Sequence, residues 1–140
     1  ILELIIKKIH KFNGGILLID YGYKKAEGND TVQSLMSHKK NLFYKNIGKA
    51  DITYLVNFEL LNKFFQKNRF VLNKIVNQSF FLKKLGILER AEILSKNQSF
   101  KEKSELYFRL DRLLSEKKMG GLFKVLFAAN KKAKFNLGFK

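Results

Sequence analysis

Asp20 and Tyr21 close an apolar run, Ile16-Leu17-Leu18-Ile19, that suits a buried strand. Ligands of open parallel sheets lie beyond the carboxyl ends of the strands, so the pair are candidates for an active site. A loop-capping aspartate beside a tyrosine packed at the sheet edge explains them equally well. Histidine is the side chain most suited to general-base work, and His38 follows Asp30, Thr31 and Gln33. A surface histidine is the simpler reading. Asp51 and Thr53 flank Ile52 in a segment that reads as an acidic ligand, a pocket wall or a helix cap. Asn77-Gln78-Ser79 directly follows an expected strand and sits where a pocket would be; Asn77 also suits the N-cap of the next helix.

Other chemistries are excluded by residue type and placement. His10 and His38 are too few for a multi-histidine metal centre, and the chain has no cysteine for disulfides, thiolate sites or nucleophiles. A phosphate-binding loop needs glycines after a strand and before a helix. Gly14 and Gly15 precede the strand and Gly22 stands alone after it, so turns are the better reading.

The elements that would carry these residues are legible in apolar spacing. Over 1–12, Leu2, Ile5, Ile6, Ile9 and Phe12 share one helical face, and Asn13-Gly14-Gly15 ends the helix. The strand 16–20 follows, its four aliphatics fitting burial on both faces. A polar loop spans 23–30, and 31–39 reads as extended. Residues 57–67 form a helix with Asn57 as N-cap and Leu60, Leu61, Phe64 and Phe65 in one stripe, and 70–76 reads as a strand. Helices follow over 78–85, 87–96 and 99–115, with Gly86 a stop; Gly120-Gly121 breaks the pattern before a last strand, 122–129. The lysine-rich tail from Asn130 is expected to be loosely held. The order is α/β, with too few strands for a well-covered sheet.

The 140 residues allow one domain with a core, and 46% apolar content with 14 phenylalanines argues for a folded chain. No apolar run reaches the roughly 18 residues of a membrane span, and Lys7, Lys8 and Lys11 interrupt the one segment resembling a signal peptide. The net charge of +16 invites a small basic module for nucleic acid or an acidic partner, with phenylalanines and lysines mixed over 64–74 and 122–135. Lysine, rather than the arginine of dedicated phosphate readers, carries that charge, alongside abundant Asn, Ile and Phe. An AT-rich genome explains that bias, and periodicity places most of the phenylalanines in a core. Opening on Ile1 inside a helix is expected of one half of a longer protein.

Together, GGILLIDYG, DTVQSLMSHK, ADITYLVNF, NQSFFLKKLGILER and MGGLFKVL, in that order, resemble the carboxyl-terminal half of the MidA family. These are class I S-adenosylmethionine-dependent methyltransferases, among them a mitochondrial complex I assembly factor that methylates arginine. The resemblance runs from Gly14 to about Val125, with a trace at Leu137-Gly138-Phe139. It implies the carboxyl-terminal part of a Rossmann-like methyltransferase sheet. Residues 16–20 become strand five, 70–76 strand six, and 122–129 strand seven, antiparallel between them, with 57–67 the crossover and 78–115 an insertion.

The resemblance also implies site roles: Asp20, Tyr21 and His38 catalytic, and Gln33, Asp51, Thr53 and Gln78 substrate-binding. If the acceptor is arginine, Asp20 or Asp51 can hold the guanidinium. Val56-Asn57-Phe58 replaces the family's Val-Asp-Phe, and Asn77-Gln78 its Thr-Gln. The family's glycine-rich cofactor loop has no counterpart here, so the implied partners are a protein substrate and an amino-terminal half holding S-adenosyl-L-methionine. The implied setting is the bacterial cytoplasm or the mitochondrial matrix. A degenerate, inactive remnant and a basic binding module are the alternatives.

Overall fold

In the computed structural model, Leu2–Phe12 forms helix α1, with Ile6 and Ile9 buried while Phe12 points to solvent. Asn13 stops it in the left-handed region, φ 52°, its N–H bonded to the Ile9 carbonyl. The structure describes residues 1–25, 30–131 and 136–140. Part of the expected polar loop, 26–29, and residues 132–135 of the tail lie outside the described residues.

Strand β1, Gly15–Tyr23, runs longer than expected and takes both Gly15 and Gly22 into the strand. It pairs antiparallel with the last strand, Phe123–Ala129, in the register Leu17↔Phe127, Ile19↔Val125 and Asp20↔Lys124. The expected extended segment over 31–39 is instead a hairpin of β2 (Gln33–Met36) and β3 (Lys39–Asn41). Ser37 and His38 turn it at φ 49° and 63°, the conformation that tight hairpins require. Strand β4 (Asp51–Thr53) completes a separate antiparallel sheet, order β3-β2-β4. Strand β5 (Val56–Asn57) returns to the main sheet, parallel to β1 at Gly22↔Val56.

Asn57 caps helix α2 (Phe58–Lys67) as its sequence position suggests, accepting the Leu60 N–H at 2.9 Å. Phe58 and Phe65 form its buried stripe, and Leu60 lies outside it, exposed. The strand expected over 70–76 is two short pieces, β6 (Val71–Leu72) and β7 (Val76–Asn77), both antiparallel to the last strand, β8 (Phe123–Ala129). Between the pairs Leu72↔Ala128 and Val76↔Val125 three residues oppose two, which is a β-bulge at 73–75. The main sheet therefore has β8 between β1 and the β6/β7 edge, and β1, β5, β6 and β7 all run opposite to it.

Helices α3 (Gln78–Lys84), α4 (Ile87–Ser95) and α5 (Phe100–Leu114) match the three expected spans, with Gly86 between α3 and α4 at φ 83°. Gly120 and Gly121 do not break the chain: they lie inside a short helix, α6 (Met119–Leu122). A β-carbon on Gly120 would stand 2.4 Å from the Leu114 carbonyl oxygen, so close approach selects glycine there.

Ile6, Ile9, Phe58, Phe65, Phe70, Leu126 and Ala128 form the main core, between the sheet and helices α1 and α2. The opposite face is covered over β7 and β8 by Phe81 and by Phe139, whose rings lie 5.2 Å apart, around Val76 and Val125. The described end of the tail is thus docked, not loose. This cover stops short of β1, where Leu17 and Ile19 remain 42% and 43% exposed. Burial on both faces, expected for β1, is achieved by β8.

Candidate active site

β1 and β7 end side by side, and β8 begins between them. Gly22, Tyr23, Lys24, Lys25, Asn77 and Lys124 line a cleft of about 510 Å³ at this end of the sheet. A second cavity of about 380 Å³ shares Lys24 and Asn77 and adds Lys74, Ile75, Val76, Phe80, Glu116 and Phe139. The bulge places Lys74 here, since its extra residue turns the chain locally out of the ladder.

Asn77 occupies the N-cap position of α3, yet its side chain does not cap. Its amide nitrogen donates to Glu116 Oε2 at 3.0 Å across the cleft. Its Oδ1 is buried and accepts no hydrogen bond among the described residues. Lys124 Nζ donates to the Gly121 carbonyl. Burial pushes the Lys124 pKa down, the neighbouring Lys24 charge adds to the effect, and Glu116 opposes it.

The residues singled out in the sequence fall into three groups. Asp20 and Tyr21 sit near the carboxyl end of β1, but successive strand residues point to opposite faces, so the two do not converge. Asp20 Oδ1 accepts the Tyr21 N–H at 2.7 Å, and the Tyr21 ring lies 4.1 Å from that of Phe123. The small sheet brings Gln33 opposite Thr53 and Leu35 opposite Asp51, so Gln33, Asp51 and Thr53 share one face. His38 is exposed at the β2–β3 turn. Gln78 is 8% exposed and donates to the Leu113 carbonyl at 3.1 Å, tying α3 to α5. Lys24, Lys74 and Lys124 were not singled out by sequence; their one signal is lysine at or next to the ends of strands. Among the described residues no three His, Asp or Glu side chains gather as a metal site.

Residues 1–76 match a family model described as "Putative S-adenosyl-L-methionine-dependent methyltransferase". The chain belongs to this methyltransferase family. Among curated relatives, the mitochondrial protein arginine methyltransferase NDUFAF7 of Danio rerio is 28% identical over 93% of this chain and 30% of its own length. The Homo sapiens protein of the same name is 32% identical over 88% of this chain and 28% of its own length. The chain thus spans under a third of the length of these relatives.

Two crystal structures from Burkholderia thailandensis share the fold. One, of an uncharacterized protein, superposes with a TM-score of 0.72 at 23% identity, over 95% of this chain and 38% of that one. The other has S-adenosyl-homocysteine bound and gives a TM-score of 0.68 at 22% identity, over 99% of this chain and 37% of that one.

The cofactor of the family is a sulfonium cation. The two adjoining cavities together set Lys24, Lys25, Lys74 and Lys124 against Glu116 as the one carboxylate among their described lining residues. That donor set does not fit a cationic ligand, so these residues are not a cofactor site by themselves.

Proposed function

We propose that this chain is the carboxyl-terminal, substrate-side part of a methyltransferase acting on protein arginine, completed by a preceding segment that binds the cofactor. The observation that carries the reading is the sheet. β8 is inserted antiparallel between β1 and β6/β7, while residues 15–21 of β1 have no partner on their other edge among the described residues. An additional parallel strand fits that edge and would cover Leu17 and Ile19. The family match and the arginine methyltransferase names of the relatives support the reaction class.

Methyl transfer depends chiefly on holding the acceptor in line with the methyl group, with little acid–base chemistry. In this reading Asp51 grips the guanidinium, with Gln33 and Thr53 as the wall beside it on the same face of the small sheet, or Asp20 grips it from the end of β1. Tyr21 points to the other face of β1 and would meet the substrate there. His38 approaches from the hairpin tip, and Gln78 acts as a positioning residue through α5. A mitochondrial-matrix or bacterial-cytoplasmic setting accompanies this reading, the relatives being mitochondrial by name. No helix among the described residues is long and apolar enough to cross a membrane.

The test is to express the coding sequence preceding Ile1 in frame with this chain. S-adenosyl-homocysteine binding and transfer of labelled methyl to protein arginine are then measured. Binding and transfer are expected. A polypeptide that binds no S-adenosyl-homocysteine overturns the reading.

A further inference from the structure

We infer that the lysine cleft at the ends of β1 and β7 is a docking site for an acidic polypeptide segment. In substrate terms, the methylated protein carries Asp or Glu close to its acceptor residue. The choice of a polypeptide rests on the protein-methyltransferase reading above; the preference for negative charge rests on the cleft alone.

Lys24, Lys74 and Lys124 come from three separate elements: the end of β1, the bulge before β7, and the start of β8. The fold, not chain proximity, brings them to two adjoining cavities that share Lys24 and Asn77. Glu116, the one described carboxylate in the lining, is already engaged by the Asn77 amide. Burial weakens the protonated form of Lys124 and the Lys24 charge adds to it, only partly offset by Glu116, so an anion in the cleft is favoured by both lysines. Asn77 supplies the second half of the recognition. Its Oδ1 is buried and accepts no hydrogen bond among the described residues, so it calls for a donor as well as an anion. A peptide offers both, a carboxylate for the lysines and a backbone N–H for Asn77; inorganic phosphate at neutral pH is mainly an acceptor. Bulk charge is a separate matter: the whole chain carries +16, and only convergence distinguishes this cleft.

The experiment uses a fluorescent decapeptide with glutamates on both sides of a central arginine, and its glutamine counterpart, in anisotropy titrations with the full chain. The glutamate peptide is expected to bind at least tenfold more tightly. Lys24 and Lys74 are exposed, so Lys24→Ala/Lys74→Ala leaves the core intact and is expected to weaken binding about five- to tenfold. Lys39→Ala/Lys40→Ala removes the same charge from the β2–β3 hairpin and is expected to leave binding unchanged. Equal binding of the two peptides, or equal loss in the two variants, overturns the inference. So does binding of single-stranded DNA or phosphate with no peptide binding.

Methyl transfer by the in-frame longer protein is measured separately with both peptides. Transfer without a lower KM for the glutamate peptide overturns the acidic-substrate inference and leaves the enzyme reading standing. Lysine-dependent peptide binding without transfer supports the cleft and removes the enzyme reading.

Discussion

Gly22→Ala tests how β5 and α2 are locked to the end of β1, where the candidate site begins. A β-carbon at Gly22 would stand 2.5 Å from the Val56 carbonyl oxygen and 2.5 Å from Phe58 Cδ2. Non-bonded carbon contacts settle at about 3.5–4.0 Å, so roughly 1 Å of separation must open on two sides. Neither neighbour yields readily. Phe58 is fully buried, and the Val56 carbonyl belongs to the backbone of the paired strand. Overpacking a closed site costs about 1–3 kcal/mol, and two fixed neighbours put this case in the upper half. At about 2–4 °C per kcal/mol for a domain near this size, Tm should fall by about 5–10 °C. Gly14→Ala is the control: nothing lies within 4 Å of its β-carbon position, so it should melt like the parent. Circular dichroism gives Tm, and amide exchange at Val56 and Asn57 locates the damage. A Gly22→Ala chain melting within about 1 °C of the parent, with Val56 still protected, would refute the packing argument.

Two further outcomes concern charge. Ser99 and Glu102 form a reciprocal cap at the start of α5, and their hydrogen bonds hold the Glu102 carboxyl below its ordinary pKa. Its stabilising effect is therefore present above the unfolded carboxylate pKa and lost as pH falls through the lowered folded value. Ser99→Ala should lower Tm at neutral pH, and melts taken down through the acid range should show the difference between parent and variant narrowing. Lys124 has its pKa lowered on folding, so the unfolded chain binds the extra proton between the two values, and stability rises with pH there. Relative to Lys124→Met, the parent should gain Tm from neutral pH toward the ordinary lysine pKa. A constant difference across that range would sink the assignment.

Elements with long, regular apolar spacing were readable from sequence: α1 and α2 lie where periodicity puts them, because each buries one stripe. The small sheet was not readable, since its strands are three or four residues long and its turn uses Ser37-His38 rather than Asn-Gly. Composition cannot show a bulge either, so 70–76 looked like one strand. Gly120-Gly121 read as a break because the crowding that selects them comes from Leu114 and Glu116, visible only once the chain is folded. In the candidate site, Asn77 was legible by its position directly after a strand, whereas Asp20 and Tyr21, chosen on the same ground, do not line the cleft. Lys24, Lys74 and Lys124 were hidden because single lysines in so basic a chain look like compositional bias. The central place of β8 came from family resemblance, since no local pattern orders strands within a sheet.

That central place governs the order in which the molecule can be made. The partners of β1 in β8 lie more than a hundred residues further along the chain. At synthesis rates of about 5–20 residues per second, β1 leaves the ribosome roughly 5–20 s before its long ladder can form. Contacts of such wide sequence separation also close slowly once available. Through that interval Ile16, Leu18 and their neighbours form an apolar strand whose β8 edge is unpaired, a state open to chaperones and to pairing with other nascent chains.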